Sequence, residues 1–189
     1  ILFISFLFIL PANAVLKEDS LANSLAVLRH ELITYHYEQN KLLSSSKEMS
    51  REVFETMKNI MERSSQNAIM LYSQRSDDIF DLTYACHEAK AQYEEFRKKT
   101  LPFKDYIQES NAEIGRYDSL INSLSTMPTM YLDERAKTDR NVCLTLAVNI
   151  RRMLVDNNQD LKDYVSYYQY TEKRLSTLND YADKQDCVI

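Results

Sequence analysis

Glycine is all but missing from this chain, with one residue in 189, Gly115. Sheets and mixed folds need glycine wherever turns, bulges or phosphate loops demand positive φ. A chain this poor in it reads as long helices joined by polar turns. The same shortage excludes the P-loop and the dinucleotide fingerprint, both of which are built on glycine spacing. Proline is scarce as well. Pro11, Pro102 and Pro128 each stand where the hydrophobic pattern breaks, so they read as boundaries between helices. A basic surface is lacking too, since the net charge is −5. That balance argues against general nucleic-acid binding, which depends on cations displacing counterions. The densest basic groups, Arg97–Lys99 and Arg151–Arg152, lie near predicted helix ends or edges, where they suit the dipole and the solvent.

Chemistry-bearing groupings are equally short. None of His30, His36 and His87 has a glutamate three residues before it, and no two lie four apart on one face. Cys86-His87-Glu88 looks suggestive, yet neighbouring helical residues point about 100° apart and do not converge on one ion. No metal, no cofactor and no catalytic group is expected, so the chain does not read as an enzyme. Cys86 and Cys143 fall on apolar helix seams, the wrong setting for a reactive thiolate. They are a candidate disulfide between two helices, or else two separate buried thiols. Cys187 stands near the end of the sequence as a third thiol, able to link two chains.

What is present begins with residues 1–14, ILFISFLFILPANA. A ten-residue run with Ser5 as its only polar side chain, then proline and small residues at Ala12 and Ala14, has the form of a secretory signal peptide. Ten residues are too few to span a bilayer, which takes roughly 20. Cleavage after Ala14 would leave Val15 first. The starting methionine and basic n-region are absent, so the front of the chain reads as clipped, with an uncleaved anchor as the competing reading. Residues 15–189 then read as a single extracytoplasmic domain, exported to the periplasmic or extracellular side.

The mature part is expected to be all-α: an elongated antiparallel bundle, or coiled-coil hairpins, of about six long helices. Leu21, Leu25, Leu28, Leu32, Tyr35 and Leu42 form a heptad seam broken at Gln39. Ser44–Ser46 interrupts it, and Ser45 with Glu48 makes a capping box for a second helix along Met49, Val53, Met57, Ile60, Ala68 and Leu71, with Ser64 as its soft spot. After a polar break at Gln74–Asp78, a third helix carries Ile79, Leu82, Cys86, Ala89, Tyr93 and Phe96. Pro102 opens a fourth, with Phe103, Ile107, Ile114, Tyr117, Ile121 and Leu124. Gly115 inside it suggests a close helix contact. Ser125–Tyr131 is the clearest loop. Asp133 starts a fifth helix whose stretch Val142–Val155 is apolar over most of its girth, and so is expected at the centre of the bundle. There Leu146→Asp is expected to unfold the domain. A sixth helix carries Leu161, Tyr164, Val165, Tyr168, Leu175, Leu178 and Ala182. Its tyrosines Tyr164, Tyr167 and Tyr168 form a candidate aromatic contact patch, or simply close the core with their hydroxyls in water.

The functional expectation is a non-catalytic exported spacer, sensor or protein-interaction module. It fits the extracytoplasmic N-terminal part of a longer membrane protein, such as a receptor or mechanosensitive-type channel. The alternative is a free periplasmic or secreted coiled-coil scaffold with chaperone-like behaviour. Partners are expected to be proteins, or further copies meeting through helix seams, with any membrane contact made by residues outside this chain.

Overall fold

The computed structural model describes residues 18–73 and 79–184. The expected signal peptide, the break at Gln74–Asp78 and Cys187 lie outside the described residues. Within them the chain is helical, with four helices in the order α1 (Glu18–Ser73), α2 (Ile79–Thr126), α3 (Glu134–Asp160) and α4 (Lys162–Lys184). The all-α class agrees with the sequence reading, but the count of about six helices does not.

Two expected boundaries are absent, each for a local reason. Across Ser44–Ser46 the hydroxyls turn back onto their own helix, Ser45 Oγ donating to Lys41 O at 3.1 Å and Ser46 Oγ to Leu43 O at 2.9 Å. Polar side chains satisfied in this way let a helix continue. Pro102 lies inside α2 rather than at its start. Pro102 and Lys98, whose carbonyl loses its usual N–H partner to the ring, are both exposed, whereas Phe96, Thr100 and Phe103 face inward. The missing bond therefore falls on the solvent side, where water replaces it.

The other two boundaries are real. Asp133 caps α3 with extended backbone, its carboxylate accepting from the Ala136 N–H at 2.6 Å. Leu161 separates α3 from α4 by a single residue in right-handed helical conformation, its N–H still bonded to Asn157 O at 3.0 Å. Short connections were expected to reverse the chain, but this one lets it run on. Arg29–Asp139, at 2.7 Å, and Lys47–Asp160, at 2.8 Å, pair α1 with α3 in rising order on both helices. Ser65 with Arg174 continues that order into α4. By contrast Tyr35–Glu113 and Arg63–Glu95 run in opposite order on α1 and α2. The described helices thus form three rods, up, down and up, with α3 and α4 stacked end to end as the third. At 1.5 Å per residue, α1 is about 84 Å long and α2 about 72 Å.

The core is a string of apolar blocks. One end holds Leu25, Leu28 and Leu32 of α1, Tyr117, Leu120 and Leu124 of α2, and Cys143, Ala147, Ile150 and Leu154 of α3. The middle holds Val53, Met57 and Ile60, Phe96 and Phe103, and Tyr168 and Leu175. The far end holds Ala68 and Leu71, Ala85, Cys86 and Ala89, and Leu178 and Ala182. Val142–Val155 is not encircled as expected. Val148 and Val155 are exposed, and α3 buries only a stripe between its two neighbours.

Polar layers divide the blocks. Between the first two, Asn157 Nδ2 donates to Tyr106 Oη at 2.8 Å and Ser110 Oγ to Asn158 Oδ1 at 2.8 Å, with Ser46 and Ser50 buried beside them. Between the second and third, Ser64, Asn67 and Gln92 are buried, and Thr171 is buried inside the second, between Tyr168 and Leu175. Asn67 Nδ2, Gln92 Oε1 and Thr171 Oγ1 have no hydrogen-bond partner among the described residues.

Candidate functional site

The tyrosines of α4 do not form one patch. Tyr168 turns inward between Phe96, 5.3 Å away by ring centroids, and Phe103 at 6.0 Å. Its hydroxyl donates to Glu172 Oε1 at 3.2 Å. Burial, with Glu172 beside it, pushes that phenol up to about 12. Tyr164 and Tyr167 instead meet Phe54 of α1, at 5.7 and 4.9 Å. Helical residues three apart share a face, but the fourth lies nearer the core when the helix packs against two rods at once.

The candidate bridge between Cys86 and Cys143 is not present. Cys143 is a free buried thiol, donating to Leu25 O at 3.6 Å, and Cys86 is disulfide-bonded. The reason is distance along the rod. Cys143 belongs to the block around Leu25, and Cys86 to the block around Leu71. Those two leucines sit on one helix about 70 Å apart. Burial first, and then the nearby Asp139, pushes the Cys143 thiol up to about 11, so it stays protonated and unreactive at neutral pH.

His30 and His87 are exposed and His36 is half-buried. Among the described residues, no three His, Cys, Asp or Glu side chains come together to hold a metal ion. Nor is any helix there long and apolar enough to cross a membrane. Arg97 pairs with Glu94 and Arg151 with Asp118, so these members of the two basic groups sit in ordinary ion pairs. The most strongly perturbed phenols are Tyr35 and Tyr117, with rings 6.0 Å apart. Burial and the Glu113 carboxylate raise Tyr35, and burial chiefly raises Tyr117. Both shifts move the hydroxyls away from neutral pH, the wrong direction for proton transfer there.

The surface feature that the sequence reading missed lies on the opposite half of the molecule. Ser65, Ala68, Ile69 and Tyr72 of α1 and Tyr170, Lys173, Arg174, Thr177 and Leu178 of α4 line an open groove of about 710 Å³. Seam counting passes over it because Ile69 and Tyr72 stand one position beyond the seam residues Ala68 and Leu71. A large apolar residue beside each of two successive seam positions was the available signal. Arg174 spans the groove, donating to Tyr170 Oη at 3.2 Å and to Ser65 Oγ at 3.4 Å. Tyr72 stacks at a tilt on Tyr181, 4.9 Å away, closing one end. The arrangement offers apolar contact and positive charge, and its described lining holds no histidine or carboxylate beside Ser65 or Thr177, so it offers a binding surface in chemical terms. No family model, no curated protein and no solved structure matches this chain.

Proposed function

We propose that this chain is a non-catalytic helical rod acting on the extracytoplasmic side as a spacer and protein-interaction module. The observation that carries the reading is the length over which three helices stay packed. Buried layers run from the Leu25–Leu124 block to the Leu71–Ala182 block. A rod of that kind holds its two ends tens of ångströms apart and leaves long helix faces for partners. The disulfide at Cys86 supports an oxidising compartment, where such bonds persist. The apolar run and A-x-A site of residues 1–14 point the same way. On this reading the rod belongs to a longer membrane protein of receptor or channel type, passing small helix displacements along its axis.

Expression of the natural gene followed by fractionation tests the proposal. The expected product begins at Val15, lies outside the cytoplasm and carries Cys86 oxidised. A cytoplasmic product that keeps residues 1–14 and has Cys86 reduced would overturn it.

A second reading, a free self-associating scaffold, is favoured by Val27, Ile33, Tyr37 and Leu42, large apolar side chains exposed on α1. Sedimentation equilibrium separates the two, because a scaffold of this kind should form oligomers that Ile33→Asp disrupts.

A further inference from the structure

The groove between α1 and α4 differs from most of the places where a cation bridges two helices. Most cations that reach from one helix to another meet a carboxylate, as Arg29, Lys47, Arg63, Lys90, Lys104 and Arg151 do, whereas Arg140 of α3 meets the Ser125 carbonyl of α2 at 3.1 Å. Arg174 also reaches across, yet it meets only the neutral oxygens of Tyr170 and Ser65. Lys173 stands beside it, and among the described residues neither is paired with a carboxylate. Among the described residues no acidic side chain lines the groove, although the chain as a whole has a net charge of −5. Ile69, Tyr72 and Tyr170 are each more than half exposed around it. An apolar strip bordered by two unspent cations is a surface complementary to something apolar and acidic.

Geometry narrows the occupant. Both walls are helices whose backbone groups are bonded internally, so an added strand would find no edge to pair with. The groove is open, whereas a small-molecule pocket encloses most of its ligand. A helix laid along two helices fits, with anchors at i, i+3 and i+4. Residues 1–17 are not that helix. Ser65 lies about 70 Å along α1 from Glu18, and 17 extended residues reach at most about 60 Å.

We propose that this groove docks an acidic amphipathic helix of a partner protein. Its apolar face packs on Ile69, Tyr72 and Tyr170, and its carboxylates pair with Lys173 and Arg174. The proposal rests on the interaction-module reading above and specifies the surface and the partner chemistry.

A labelled amphipathic peptide of leucine and glutamate, and its leucine–lysine counterpart, are titrated against the full chain by fluorescence anisotropy. The same titrations use Ile69→Asp and the double variant Lys173→Glu with Arg174→Glu. All three substituted side chains project from the groove wall, and circular dichroism melts confirm that the variants fold. The acidic peptide should bind, and each variant should weaken it by about tenfold or more. The lysine peptide should bind only the charge-reversed variant. Absence of binding, equal binding of both peptides, or indifference to the substitutions would overturn the proposal. Self-association of the parent that Ile69→Asp abolishes would overturn it too, by assigning the groove to a second copy. If cross-linking then places a partner on another face, the groove assignment falls while the module reading stands.

Discussion

Cys143 lies among Leu25, Leu28 and Ala147 with its sulfur on a backbone carbonyl, so its chemistry is set by burial. Alkylation of the native protein should leave Cys143 unlabelled at pH 8 and label it fully once the chain is unfolded. Peptide mapping without reduction should find Cys86 in a disulfide and Cys143 as a thiol. A Cys86–Cys143 linked peptide would contradict the fold. Folding raises this thiol from 9.0 to about 11, which favours the neutral form. Its contribution to stability is therefore complete below about pH 9 and is lost as the pH climbs towards 11, measurable as a falling denaturation midpoint. Gly115 behaves differently from expectation. It is exposed, and a Cβ built there meets nothing within 4 Å. The expected close helix contact is absent, and Gly115→Ala should stabilise the protein by about 1 kcal/mol in urea titration. Leu146 is only partly buried at the edge of its block, whereas Ile150 is fully buried. Ile150→Asp should abolish the cooperative thermal transition, because it places an unpaired charge among apolar neighbours. Leu146→Asp should lower the melting temperature and leave a folded protein.

At the scale of the helix, continuity depends on which side of the rod a disruptive residue faces. The seam of α1 passes through Gln39, Ser46, Ser50 and Ser64, all buried, without ending the helix. Hydroxyls there donate to carbonyls of the preceding turn, as Ser50 Oγ does to Ser46 O at 2.6 Å. Pro102 is tolerated because its lost hydrogen bond faces water. Pro102→Ala restores that bond at an exposed position and should raise stability by about 1–3 kcal/mol. No change in helix content by circular dichroism is expected, and a loss of stability would mean that the proline shapes the packing of Phe96 and Phe103. The junction at Leu161 is the one interruption in the third rod, and it coincides with the polar layer of Asn157, Asn158 and Ser110.

Over the whole molecule, stability comes from three apolar blocks, and the polar layers between them set register. The layer near Leu161 has Asn157 and Asn158 bonded across rods, which ties α3 to α2 at one offset. Thr171, inside the second block between Tyr168 and Leu175, is not balanced in this way. Thr171 is fully buried and its Oγ1 has no partner among the described residues. Thr171→Val keeps the shape and removes the unsatisfied hydroxyl, so it should stabilise by about 1–2 kcal/mol in denaturant titration. A destabilised variant would show that the hydroxyl is bonded in solution. Asp139 gives the opposite case. It is buried against half-exposed Arg29, and removing the arginine would leave a carboxylate inside the first block without its cation.

The helical class and the buried stripe were legible in the sequence because both depend on local quantities. Glycine shortage, the 4-3 spacing of Leu25, Leu28 and Leu32, and the capping aspartate at 133 each act within a turn or two of chain. Those residues are buried or capping as their spacing required. Whether a polar interruption ends a helix is another matter. Ser44–Ser46 and Pro102 look like boundaries to any local rule, yet the neighbouring rods keep both segments helical by burying Ser46, Thr100 and Phe103 on the inner face. Tertiary packing alone decided that six expected helices become three rods. It also put Cys86 and Cys143 at opposite ends and separated Tyr168 from Tyr164 and Tyr167. The groove at Ile69 and Arg174 has the same origin. Local spacing fixes which residues can share a face, but only the register between distant helices fixes what that face meets.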